Sequence, residues 1–112
     1  MIYELREYLA APGRGDALHR RFAQSTFPLF DRHGLDVTGF WTDREDPDRI
    51  VYLLRFPDEE TRRQCWADFQ EDPDWRKVRS ATEADGAIVA EMSSTILTRP
   101  AYWGHETVRE AP

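Results

Sequence analysis

Strand-like and helix-like stretches follow one another in this chain in the order β-α-β-β-α-β, and that order leaves few ways to fold. The first stretch, Ile2 to Leu9, alternates with the period of two that marks a strand with unlike faces. One face carries Tyr3, Leu5 and Leu9, interrupted by Glu7; the other carries Glu4, Arg6 and Tyr8. A turn over residues 11–15 leads to Asp16, a candidate helix cap, and to a helical stripe of Leu18, Phe22, Leu29, Phe30 and His33. Pro28 lies inside that stretch and predicts a kink or a restart at Ser25 or Thr26; Gly34 is placed as the stop. Two strands rich in β-branched and aromatic residues follow, Asp36 to Thr42 and Arg49 to Phe56, and the short polar link between them reads as a hairpin. Asp58 can cap a second helix with Arg62, Cys65, Trp66 and Phe69 on one face. Asp72-Pro73 breaks it, and a shorter piece with Trp75, Val78 and Thr82 closes at Gly86. A last alternating strand runs from Ala87 to Thr98.

This is the ferredoxin-like α+β arrangement, a four-stranded antiparallel sheet with the first and third strands in the middle. Two helices cover one face of such a sheet. Strand three is apolar on both sides, with Ile50, Tyr52, Leu54 and Phe56 on one and Val51 and Leu53 on the other, so the second face is expected to be buried against another copy of the chain. Two sheets packed face to face make a dimeric α+β barrel. We expect Tyr3, Leu5 and Leu9 to meet the helices and Glu4, Arg6 and Tyr8 to line the barrel lumen. The domain is expected over residues 1–98, with residues 99–112 as a tail in which Tyr102 and Trp103 are free to dock.

Composition narrows the function. The formal charge of -6 and the interleaving of arginine with aspartate and glutamate argue against nucleic-acid binding. No apolar run approaches the ~18 residues of a membrane span, and no secretory leader pattern is present. With Cys65 as the single cysteine, a cytoplasmic setting is expected. Lys77 is the only lysine, an arginine bias associated with bacterial genomes of high GC content.

The candidate chemistry lies in the polar rows. Arg6 suits a carboxylate or enolate oxygen, with Glu4 or Glu91 as the base; Tyr8 and Tyr52 are hydrogen-bond donors to a ligand, and Ser93 and Trp41 are further candidate ligand contacts. The same residues also read as a paired charge cluster that holds the interior together, Glu91, Ser93 and Thr95 as a solvated edge, and Trp41 with Phe40 as packing. His19, His33 and His105 have no His or Cys partner at helical spacing, and there is no HExxH, CxxC, phosphate loop or nucleophile elbow, so no metal and no cofactor are expected. His33 is expected to act as a cation at a helix end and Cys65 as a buried packer.

The segments YELREY (3–8), FPLFDRHGLDVTGFWT (27–42), DPDWRKVRSATEADG (72–86) and EMSSTIL (91–97) resemble, in order and spacing, the NIPSNAP family of the dimeric α+β-barrel superfamily. The resemblance covers nearly all of residues 2–98. It implies a homodimer with a pocket in the barrel or between sheet and helices. The superfamily includes cofactor-independent monooxygenases, isomerases and cyclases, haem-binding enzymes and stress-induced proteins. Three readings follow: a binder or cofactor-independent enzyme for a polar aromatic or polyketide-like molecule; a non-catalytic stress or interaction protein with a packed dimer core; and a haem-binding protein. The family's segment NxVxHLW is altered here, with Asp48, Tyr52 and Leu54 at its Asn, His and Trp. That removes the histidine a haem-binding reading would use, and Tyr52, with an ordinary pKa of about 10, is a poor base at neutral pH.

Overall fold

The computed structural model describes residues 1–103. His105 and the tail beyond Trp103 lie outside the described residues. The elements are β1 (Ile2–Ala10), α1 (Gly15–Arg21), a π-helical turn (Phe22–Thr26), α2 (Phe27–Arg32), β2 (Asp36–Thr42), β3 (Arg49–Phe56), α3 (Glu59–Glu71), α4 (Pro73–Thr82) and β4 (Val89–Leu97). The strands form one antiparallel sheet in the order β2-β3-β1-β4, the ferredoxin-like order expected, with β1 and β3 central.

The helical path over residues 15–32 differs in detail from expectation. Asp16 does not cap it: Arg14 holds the cap position, no side chain caps the turn, and Asp16 sits in the first turn, where its charge suits the helix dipole. Pro28 neither ends nor restarts the helix at Ser25 or Thr26. Its ring would collide with the carbonyl four residues back, Gln24. The chain accommodates this with a wider turn, in which the Phe27 N–H bonds to the Phe22 carbonyl, and α2 starts with Pro28 in its first turn. Leu18, Phe22, Leu29 and Phe30 form the buried stripe as expected, and Arg21 beside them is buried too. Asp58 caps α3 by accepting from the Thr61 N–H at 2.7 Å, and Asp72 both ends α3 and caps α4. β4 begins two residues later than expected, at Val89.

The core lies between the helices and one face of the sheet. Ile50, Tyr52, Leu54 and Phe56 of β3 are essentially inaccessible and identify that face. Antiparallel register then decides which row of β1 shares it: Glu4 pairs with Leu54, Arg6 with Tyr52 and Tyr8 with Ile50. The expected facing of β1 is therefore reversed. Glu4, Arg6 and Tyr8 point toward the helices, and Tyr3, Leu5, Glu7 and Leu9 lie on the open face. Hydropathy alone chose wrongly because the charges on the helix side neutralise one another there, whereas the apolar row is broken by Glu7, which pairs with Arg49.

The open face carries Leu5, Leu9, Val51 and Leu53, all half-buried, with Trp41 and Leu97 exposed near its edges. Gly39 leaves room there for the Trp41 ring to fold back over it: a Cβ at that position would stand 2.3 Å from the ring and would turn this exposed side chain outward. Tyr3 is covered by Arg99, whose guanidinium lies 4.9 Å from the ring centroid, while Tyr102 and Trp103 are exposed.

Gly34 ends α2 with φ of 77°, and its Cβ position is free of serious contact. Gly34→Ala therefore isolates the backbone cost of the left-handed conformation, and we expect a loss of about 1–2 kcal/mol in urea unfolding with an unchanged m-value.

Candidate functional site

β1 supplies three polar side chains in succession to the helix side of the sheet, and their partners come from three other elements. Glu4 is 0% exposed. Its Oε1 accepts from Arg62 Nη1 at 3.2 Å and from the Trp66 indole at 2.8 Å; its Oε2 accepts from Arg6 Nη1 at 2.9 Å and from Ser94 Oγ at 2.6 Å. Four donors occupy the four lone-pair directions of the carboxylate. Burial alone would push the Glu4 pKa up, but the bonds from Ser94, Trp66 and Arg6, with the charge of Arg6, outweigh it and hold the pKa below the usual value.

Arg6 extends this network toward Tyr8. Its guanidinium stacks 4.3 Å from the Trp66 ring centroid and donates to the Tyr8 oxygen from Nη2 at 2.9 Å and Nε at 3.3 Å. Burial opposes its charge, and the oxygens of Tyr8, Tyr52 and Glu4 more than offset that, so its pKa is raised. Tyr8 and Tyr52 share a hydrogen bond of 2.9 Å with their rings edge to face. Tyr52 is sealed among Phe22, Phe30 and Phe40, and burial, then the neighbouring Tyr8, pushes its pKa well above the ordinary value.

A cavity of about 280 Å³ opens beside this cluster, between α3, α4 and β4. Arg6, Tyr8, Trp66, Phe69, Trp75 and Met92 line it, together with Arg21, Arg79 and Glu83. It exists because the helices stop short of β4: Met92 and Ile96 share the helix-side row with Ser94, yet are 53% and 43% exposed.

Of the residues predicted from sequence, the structure brings together Glu4, Arg6, Tyr8 and Tyr52. It places the others elsewhere. Glu91 and Ser93 register with Leu9 and Glu7 on the open face, in a separate concavity shared with Asp46 and Arg49, so Glu91 cannot act with Arg6. Trp41 registers with Val51 on the open face of the opposite edge. Sequence reasoning missed Ser94, because β4 was read without its register to β1. Trp66 and Arg62 were placed on the core face of the second helix, but nothing in that stripe showed that they end on Glu4. Outside the cavity, His33 Nε2 meets Asp72 Oδ2 at 2.7 Å and His19 Nε2 meets the Pro47 carbonyl at 2.9 Å. The His33 bond, ahead of the backbone and Arg32 contacts, helps hold Asp72 down at about 2. Cys65 is half-buried beside Gly34, and burial raises its thiol pKa.

An α+β domain of ferredoxin-like topology with a polar-floored cavity between sheet and helices is thus defined. The NIPSNAP profile matches residues 3–103, and the chain belongs to the NIPSNAP family. Among curated proteins none matches. Solved structures of the same fold include an uncharacterised NIPSNAP domain protein from Burkholderia xenovorans, with TM-score 0.78, 16% identity, and coverage of 94% of this chain and 100% of that one. Protein Atu4242 from Agrobacterium tumefaciens gives 0.77, 19%, 91% and 96%. A putative antibiotic biosynthesis monooxygenase from Nitrosomonas europaea gives 0.61, 15%, 88% and 98%.

Removing the Glu4 charge leaves Arg6 buried without its counter-ion, and we expect Glu4→Gln to cost about 3–5 kcal/mol at neutral pH. Because the folded-state pKa of Glu4 is depressed, the stability it contributes is complete above its unfolded value of about 4.5 and is lost as pH falls through the lower folded value. Urea midpoints of wild type and Glu4→Gln at pH 7 and pH 3 should therefore converge on acidification; a constant gap would show that the Glu4 charge is not responsible.

Proposed function

We propose that the protein binds a small aromatic or similarly flat molecule in the cavity between sheet and helices, and that it works as a homodimer paired through the open face of the sheet. The observation that carries the binding reading is Arg6: it borders an open cavity instead of a filled core, is stacked on Trp66, and is held in place by a carboxylate that is itself saturated. This favours the pocket over the barrel lumen as the ligand site. It also assigns Glu4 to positioning Arg6, since a carboxylate with four donors has no lone pair left to receive a proton. The aromatic wall of Trp66, Phe69 and Trp75 beside the Arg6 guanidinium supports a flat ligand that carries a polar group. The apolar row Leu5, Leu9, Val51 and Leu53, with Trp41 at its edge, supports the pairing.

Binding is tested by titrating the 15N-labelled protein with a library of small aromatic fragments. Of the four tryptophan indole signals, those of Trp66 and Trp75 should shift with the best fragments while those of Trp41 and Trp103 stay in place. A library that moves neither cavity indole refutes the pocket. Pairing is tested by light scattering at micromolar concentration: the expected mass is twice 13.1 kDa, and Leu53→Asp should return it to the single-chain value.

A further inference from the structure

Within that proposed pocket, on which this step rests, we infer that the ligand is an oxyanion, a carboxylate or enolate, whose oxygen is taken by the guanidinium of Arg6 together with the hydroxyl of Tyr8. The inference comes from counting hydrogens. Arg6 has five N–H groups. One on Nη1 goes to Glu4, and one on Nη2 and the one on Nε go to the Tyr8 oxygen. No further acceptor is within hydrogen-bonding distance of the second N–H on each Nη among the described residues, and such a pair can form the end-on fork that fits a carboxylate.

The Tyr8 proton is fixed by its neighbour. Tyr52 is 0% exposed, surrounded by aromatic rings, and the Tyr8 oxygen is the acceptor within its reach. A buried hydroxyl that donates to nothing is costly, so the Tyr52 O–H donates to Tyr8. Of the two lone pairs on the Tyr8 oxygen, one then accepts from Tyr52 and the other is shared by Arg6 Nη2 at 2.9 Å and Nε at 3.3 Å, and its own hydrogen has no protein acceptor among the described residues. Arg6 and Tyr8 both line the cavity, so the two residues that carry the three unclaimed donors border it.

Charge agrees with this count. In a chain of net charge -6, the ionised side chains lining the cavity are Arg6, Arg21 and Arg79 against Glu83, and with Glu4 directly behind Arg6 the balance is three cations to two carboxylates. Glu83 is already shared between Arg21 at 2.9 Å and Arg79 at 3.5 Å. The cavity is a basic site in an acidic protein, rich in donors and with its carboxylate spent, walled by Trp66, Phe69, Trp75 and Met92 for an apolar body.

The test compares 1-naphthoate, 1-naphthalenemethanol and 1-naphthylmethylamine by calorimetry on the full chain, with the Trp66 and Trp75 indole signals confirming the site. Naphthoate should bind roughly tenfold or more tightly than the alcohol, with the amine weakest. Arg6→Gln should bring naphthoate down to the affinity of the alcohol. Tyr8→Phe alone would orphan the Tyr52 hydroxyl, so the double variant Tyr8→Phe/Tyr52→Phe is used, and it should weaken naphthoate several-fold while leaving the alcohol unchanged. If the alcohol or the amine shifts the cavity indoles and binds as tightly as naphthoate, the pocket stands and the oxyanion inference falls. If none of the three binds, both fall. Unchanged naphthoate affinity in the double variant removes Tyr8 from the site and overturns the inference as stated.

Discussion

A single carboxylate ties this fold together. Moving an ionised group out of water costs several kcal/mol unless every lone pair finds a donor, and Glu4 finds four. Those donors come from β1 itself, from two successive turns of α3 and from β4. The network therefore clamps a central strand to the helix above it and to the edge strand beside it. Few alternative packings place Arg62, Trp66 and Ser94 around the same two oxygens, so the demand of one charge fixes the register of β4 and the height of α3.

The cavity is the other side of that arrangement. Trp66 is drawn toward β1 by its indole bond to Glu4, and its ring becomes the platform on which Arg6 stacks. α4, started afresh at Asp72-Pro73, carries Trp75 against Phe69 and places Arg79 and Glu83 at the rim. β4 is left with little above it, and Met92 stays accessible on the helix side. Polar groups of the kind that normally sit at a solvated surface are thus arranged under a partial roof, where their mutual bonds are strong and their remaining donors are confined.

The element order, the hairpin, the cap at Asp58, the break at Asp72-Pro73 and the stop at Gly34 were legible because each depends on neighbours in the chain. The grouping of Glu4, Arg6 and Tyr8 was legible for the same reason, since alternate residues on a strand must share a face. Which face they share was not. Both rows of β1 mix charge with apolar surface, and the tie is broken only by pairing with β3, whose row of Ile50, Tyr52, Leu54 and Phe56 has no ambiguity. Applying the helix-facing row of β3 across the ladder would have put Glu4 under the helices and Ser94 beside it. The turn around Pro28 was beyond reach for a different reason: a kink, a break and a wider turn all relieve the same collision, and packing of Phe22 and Phe27 against Phe40 selects among them.

Reversing the face of β1 also changes what the dimer proposal has to explain. With the charged row in the lumen, pairing two sheets would have buried two guanidinium groups and two carboxylates at the centre of the interface, a desolvation burden that only near-perfect pairing offsets. With that row turned to the helices, the surface left for a partner is Leu5, Leu9, Val51 and Leu53, whose burial is favourable without any such condition. Two ion pairs remain on the open face, Glu7 with Arg49 beside the Asp46 concavity and Asp36 with Arg55 toward the other end of β3, and both keep their access to water. Ligand site and proposed interface then lie back to back across one strand. Residues of even number on β1 serve the first and residues of odd number the second, so each surface can vary in sequence without a side chain of the other being displaced.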